Sequence, residues 1–433
     1  MGKSLRLTYK EKLKRLSHAV VEAQRPIRIL DSIKWPESYI EAFRKSKFKE
    51  IPQLGPEDYA KQSLGYDPEA KRKELRELRE AITREMGEED ALGGLLRKTA
   101  EQYERVVEML EARGTRRFWE LSRELYGSPK DTMIQDHNTI SDLGRMMYEI
   151  LSKIEAKDLG PEYPETYGAQ EVVDTLNQRL QSYFPDIPVM AKLSDGILAD
   201  AAAGGETVKI KESAKFSQRD VDILEVHEGW VHIGTTQNGR NQHLATWLSK
   251  GPPRCSSTQE GLAVIMEIFT FRTYPKRAKQ INDRILGIEK VEDGADLLEL
   301  MEFYRTEGYT EEECLKNVKR VFRGGMVEGG AAFTKDISYC RGFIENYNFM
   351  RSAVRAGRPK LLPFLFVGKL HLEDVPLLYA KHLEGLIDAP KYLPPQFRDL
   401  HGLSVWMGFS SFLNMVNLRR VQEHYDKLFR AYL

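Results

Sequence analysis

The sequence predicts a predominantly helical α+β fold, with one small β-sheet set among surrounding helices. Three observations predict it. Long stretches carry apolar residues at helical spacing among Glu, Arg and Lys. One region, 187–211, instead holds short apolar runs separated by Gly-containing turns. The apolar runs are too short for anything but a globular interior, and none approaches the ~20 residues that span a bilayer.

The elements follow in order. Residues 70–87 and 95–113 read as helices, and Gly114 supplies a stop after Arg113. The helical pattern continues over 137–157. The segment 158–168 contains two Pro and two Gly and is the best candidate for a boundary. It divides a helical region, 1–160, from a second region, 161–433, although the two can equally form one continuous unit. A helix over 168–184 precedes three short strands at 187–193, 196–204 and 206–211. Asp195-Gly196 and Gly204-Gly205 are the turns between them, which suggests a three-stranded meander. Ser217 and Asp220 have the spacing of a capping box and open a new helix. Further helices are expected over 258–272, 297–304, 310–323, 336–356, 374–385 and 403–432. Pro390, Pro394 and Pro395 mark a loop before the last of these.

Composition excludes several classes. Lys+Arg and Asp+Glu are both 65, so no basic excess points to nucleic acid. The basic run from Lys10 to Arg15 reads as a solvated helix face. Cys255, Cys314 and Cys340 are scattered and odd in number, which fits neither a disulfide framework nor a thiolate zinc site. A reducing cytoplasm is the simplest location. The charged N-terminus has no apolar core of a secretory signal, and Arg6 stands where myristoylation of Gly2 needs Ser or Thr. Neither a nucleic acid nor a membrane is expected as a partner; the oligomeric state is left open.

The chemistry concentrates in Val226-His227-Glu228-Gly229-Trp230-Val231-His232 and, 28 positions past His232, in Gln259-Glu260-Gly261-Leu262-Ala263. Two imidazoles and a later carboxylate make a His2Glu zinc site with one coordination position open. Glu228 is then placed to act as the base that activates the attacking water. The familiar spacing of such histidines is four residues, which puts both on one helix face. Here it is five, and five residues advance about 500°, leaving the rings about 140° apart on a regular helix. A π-type widening brings His232 back toward His227, so the motif predicts a distorted helix. Glu260 lies in an apolar helix, where an unpaired carboxylate is costly, so it requires a cation. Glu267, two turns on, is either a partner to a ligating His or a structural acid.

Two glycine pairs, Gly324-Gly325 and Gly329-Gly330, mark a loop flanked by Arg320, Arg323 and Lys335. Arg323 or Lys335 is a candidate to bind a substrate carboxylate, with a surface ion pair as the plain alternative. Tyr339, four residues after Lys335, is a candidate donor to an oxyanion, or else a core tyrosine. His18, His137, His371 and His401 have no ligand-spaced partner and read as structural. No phosphate-binding loop of Walker type and no Gly-x-Ser-x-Gly elbow occurs.

These motifs resemble the QEGLA-motif proteins. The resemblance extends to Asn238-Gly239, to Gly329-Gly330-Ala331-Ala332-Phe333-Thr334-Lys335-Asp336, to the segment from Gly368 to Tyr379 and to Tyr392-Leu393-Pro394-Pro395, covering about residues 15 to 396. The eukaryotic branch of that family includes the microtubule-associated tyrosine carboxypeptidase, which removes the C-terminal tyrosine of α-tubulin; bacterial members are labelled flavohaemoglobin expression-modulating. The resemblance implies one Zn2+ per chain, held by His227, His232 and Glu260, with Glu228 as base. The family commonly places an apolar or β-branched residue, then Gly-Thr, between the Glu and the second His. This chain has Gly229-Trp230-Val231.

Residues 161–433 are therefore expected to form a zincin-like catalytic domain. The expected activity is a zinc-dependent carboxypeptidase that removes a C-terminal residue, aromatic ones included, from a peptide or protein. A non-catalytic regulatory or binding protein with a vestigial or structural metal site is the alternative. An endopeptidase with a cleft open at both ends is a third reading.

Overall fold

The computed structural model describes residues 8–133, 137–154, 156–160, 163–195, 197, 199–415 and 418–432. Gly2, Arg6 and Gly196 lie outside the described residues. The fold is predominantly helical with two small sheets.

The helices expected at 70–87 and 95–113 are Pro68–Met86 and Ala91–Glu111. Asp67 and Asp90 cap them, accepting from the backbone N–H of Ala70 and Gly93. The helix expected over 137–157 is shorter, Ile140–Leu151, and opens on a capping box of Thr139 and Asp142. Ala169–Tyr183 follows. The long helix expected at 403–432 is two, Leu400–Leu413 and Leu418–Tyr432, with Asn414, a poor helix former, capping the first. The apolar pattern does not mark the helix Pro275–Glu292. Its buried face carries Asn282, Asp283 and Arg284 among the isoleucines, which breaks the amphipathic stripe.

The strands are β1 (Tyr167–Gly168), β2 (Met190–Ser194), β3 (Ala201–Gly204), β4 (Thr207–Lys211) and β5 (Lys215–Phe216). The three-stranded sheet has the order β2-β4-β3, with β2 parallel to β4 and β3 antiparallel to it. It is therefore not a meander. β4 buries Val208 and Ile210 completely, and this alternating strand takes the centre; the alanines of β3 occupy an edge. β1 and β5 form a second, two-stranded sheet that the sequence pattern does not show.

One apolar cluster joins Leu13, Leu16 and Leu96 to Val226, Val231 and Ile265. Helices on both sides of 158–168 thus share a core. Each fully buried Leu, Ile or Val contributes about 1.5–3 kcal/mol.

Two helices meet at backbone contact. A Cβ added to Gly342, in Ser338–Arg355, would lie 1.8 Å from the carbonyl oxygen of Ser257, and one on Gly261 would lie 2.1 Å from the carbonyl carbon of Gly342. This is the physical meaning of the glycine after Glu260: Ser256–Phe269 crosses Ser338–Arg355 with nothing between the two chains. Asn238 fixes another junction. Its amide donates to the carbonyls of Phe366 (2.7 Å) and Tyr392 (2.8 Å), and its oxygen accepts from the N–H of Lys391 (2.9 Å) and Tyr392 (2.8 Å). Every polar atom of this buried amide is used. The Asn238-Gly239 and Tyr392-Leu393 motifs are thus one structural joint.

Candidate metal centre

The histidines lie on a continuous helical run. Gln218–Leu224 opens on the capping box of Ser217 and Asp220, Glu225–Ile233 is a π-helix, and Gly234–Arg240 returns to α geometry. The widening required by the five-residue spacing is therefore present. Hydroxyls occupy the C-terminal side of the wide turn: Thr235 donates to the Val231 carbonyl and Thr236 to the His232 carbonyl, both at 2.7 Å. Trp230 stacks on Tyr183, with ring centroids 5.3 Å apart, and Arg272 covers its ring at 5.3 Å. Gly229 leaves room for Leu180, which a Cβ there would approach to 2.6 Å.

The π turn directs both imidazoles at Glu260. Among the described residues, His227, His232 and Glu260 are the group spaced to hold a metal, with ligand atoms within 4.8 Å of one another. Glu260 Oε2 lies 3.6 Å from His227 Nε2 and 3.5 Å from His232 Nε2. Donors bound tetrahedrally to one zinc ion at their usual bond lengths sit roughly 3.4 Å apart. Glu260 Oε2 is buried and has no hydrogen-bond partner. Three donors converge on one point, and one of them is an orphaned carboxylate oxygen; the donor set fits a cation.

The three candidate ligands are held unequally. His227 Nδ1 is 2.7 Å from Glu267 Oε1, and Arg277 donates to both oxygens of Glu267, at 3.0 and 3.3 Å. Glu267 thus takes the ligand-partner role. His232 Nδ1 is buried with no partner. Burial opposes charge on His227, but Glu260, Glu267 and Glu228 outweigh it and push the imidazole up to about 10 in the absence of a cation. Burial likewise opposes charge on Glu260, and Lys335 with the two imidazoles holds it well below the carboxylate range. Glu267, also desolvated, is brought down to about 2 by Arg277 and His227. Glu267→Gln is expected to weaken zinc binding by about 10–100-fold, measured by chelator competition, and to lower the denaturant midpoint as well, because it strips Arg277 of its charge partner.

Glu228, next to His227, faces the sheet. Its Oε2 accepts the Ala203 N–H of edge strand β3 at 2.7 Å.

Two of the remaining predicted residues, Lys335 and Tyr339, stand beside the same group. Lys335, in the short 3-10 turn Thr334–Ile337, donates to Glu260 Oε1 at 2.6 Å. Its ammonium stands 5.8 Å from the centroid of the Tyr339 ring, and that ring is 6.3 Å from the ring of His227. Arg323 is buried, and its guanidinium stacks on Phe333 at 5.1 Å. Burial and the neighbouring Arg320 push Arg323 down to about 10. Arg320 itself grips Asp336 with two bonds, 2.5 and 2.9 Å.

Arg284 and Lys369 are absent from the sequence-derived set. Arg284 is hidden by the unmarked helix. Lys369 reaches Gln259 Oε1 at 3.3 Å, and burial brings its ammonium down to about 8. A cation after a glycine in an apolar run is its only sequence signal.

Asp336 predicts a pH effect. Burial raises its pKa, but Arg320 and Arg284 override it and hold it well below the ordinary value. Its folded-state pKa is depressed, so its stabilisation is complete above about pH 4 and is lost as pH falls further. Asp336→Asn is expected to cost about 3–5 kcal/mol at pH 7. Denaturant midpoints of the two proteins should converge as pH falls below about 4; a constant gap would contradict this.

A family model described as "Microtubule-associated tyrosine carboxypeptidase" matches residues 41–415. Comparison with curated proteins finds no match.

Proposed function

We infer, from a chain that belongs to the microtubule-associated tyrosine carboxypeptidase family, a zinc-dependent carboxypeptidase of zincin type that removes the last residue of a peptide or protein. The observation that carries this reading is the convergence of His227, His232 and the orphaned Glu260 Oε2 across a π turn, with Glu228 beside them. Three ligands rather than four favour a catalytic over a structural site, because a structural zinc is usually closed by a fourth protein ligand.

A zinc ion held by His227, His232 and Glu260, one per chain, would supply Lewis-acid polarisation of the scissile carbonyl. The chain's own groups do the rest. Glu228, oriented by Ala203 N–H, takes a proton from the attacking water and delivers it to the leaving amine. Lys335 keeps Glu260 ionised and oriented. Tyr339 is the donor for the developing oxyanion, and Arg323 meets the substrate's terminal carboxylate. Substrates with an aromatic last residue follow from the family, and a protein C-terminus is the partner. Among the described residues no helix is long and apolar enough to cross a membrane. The three free thiols fit a reducing cytoplasm.

The test is mass spectrometry of a peptide library with varied last residues, incubated with zinc-loaded protein. Loss of a single C-terminal residue is expected. Internal cleavage would favour the endopeptidase; stoichiometric metal with no cleavage of any peptide would favour the binding protein.

A further inference from the structure

We propose that Arg284 and Arg323 together form the seat for the substrate's terminal carboxylate, with Arg284 the arm that selects for a free C-terminus. The proposal rests on the carboxypeptidase reading above.

Charge matching leads to it. Arg284, Arg320 and Arg323 surround a single carboxylate, Asp336. Arg320 occupies both of its oxygens, at 2.5 and 2.9 Å. Arg284 Nε comes no nearer to it than 3.9 Å. The Nε of both Arg284 and Arg323 is buried without an acceptor. Arg284 is 5% exposed and Arg323 4%, so both guanidinium groups are largely desolvated. Buried guanidinium groups left in this state are costly unless an acid arrives to meet them. Lys335 is a poorer candidate because Glu260 already matches its charge at 2.6 Å.

Location supports the same assignment. The guanidinium of Arg284 stands 5.3 Å from the centroid of the Tyr339 ring, and the same ring lies 6.3 Å from the His227 ring. One side chain, Tyr339, therefore stands between Arg284 and the candidate ligand His227, as required if Arg284 holds the end of the residue being released. The helix Pro275–Glu292 enforces the spacing. Arg277 anchors Glu267, and through it His227; Arg284 follows seven residues later on the same helical face. A carboxylate has two oxygens with about four lone-pair sites, and planar guanidinium forks match them where an ammonium does not.

The test uses zinc-loaded Glu228→Gln protein, so that binding is read without turnover. Two fluorescent peptides are compared that differ only in ending as a free acid or a carboxamide. The acid is expected to bind roughly 30-fold or more tightly than the amide, the size expected for one desolvated charge pair. Adding Arg284→Gln should reduce that ratio to below about threefold while leaving amide affinity and zinc content within about twofold. Arg284→Lys, which keeps the charge and serves if the Gln variant fails to fold, should restore only part of the ratio. An unchanged acid-to-amide ratio in either variant, or equal weakening of both peptides, overturns the seat. If wild-type protein cleaves no peptide, the carboxypeptidase reading fails instead, and the two failures are separable.

Discussion

Glu228→Gln is expected to bind one zinc per chain and to lose about 10²–10⁴-fold in kcat/KM. Gln keeps an oxygen that can accept the Ala203 N–H, now 2.7 Å from Glu228 Oε2, so the side chain stays where it is. What disappears is basicity. Metal content by mass spectrometry and peptide hydrolysis would be measured on the same sample. Turnover at the wild-type rate would remove Glu228 from the mechanism; loss of metal would mean that it serves the ligand set instead.

Gly342→Ala is expected to be the most damaging change in the fold. Its Cβ would be placed 1.8 Å from the Ser257 carbonyl oxygen and 3.0 Å from the Gly261 N–H nitrogen. Both are backbone atoms in the helix that carries Glu260, so no rotamer change relieves the clash. Overpacking of this kind costs about 3 kcal/mol or more. Displacing that helix also displaces the carboxylate, so zinc affinity should fall together with the denaturant midpoint. Gly408→Ala is the control: nothing lies within 4 Å of the added carbon, and in an exposed helix Ala is favoured over Gly by about 1 kcal/mol. Equal stability of the two variants would show that the helix crossing yields more easily than its geometry implies.

The candidate metal centre was legible because its chemistry is local. A five-residue histidine spacing is incompatible with a regular helix, so the ligands themselves imply the π turn. A carboxylate in an apolar helix likewise announces a cation. Of the two arginines proposed to meet a substrate carboxylate, Arg323 was legible and Arg284 was not, because its lack of a close partner depends on pairing across the fold. Arg284 lies in a helix whose buried Asn282 and Asp283 erase the apolar period. Lys335 reads as a free cation until Glu260, 75 positions away, is seen 2.6 Å from it. The sheet order was hidden for the same reason. Parallel pairing of Met190–Ser194 with Thr207–Lys211 leaves no local trace, and strands of two residues show no alternation at all. The stretch 403–432 reads as one helix, but the first helix ends at Leu413 with Asn414 as its cap and a second begins at Leu418.

Asn238 binds four backbone groups across 154 positions of chain, and it stands six residues after His232 on the same helical run. The segment around Phe366 and Tyr392 therefore cannot breathe without loosening the helix that presents His232. Amide hydrogens at the two places should exchange with solvent through one shared opening and with matching protection, so the integrity of the candidate ligand group is tied to a stretch of chain far from it in sequence.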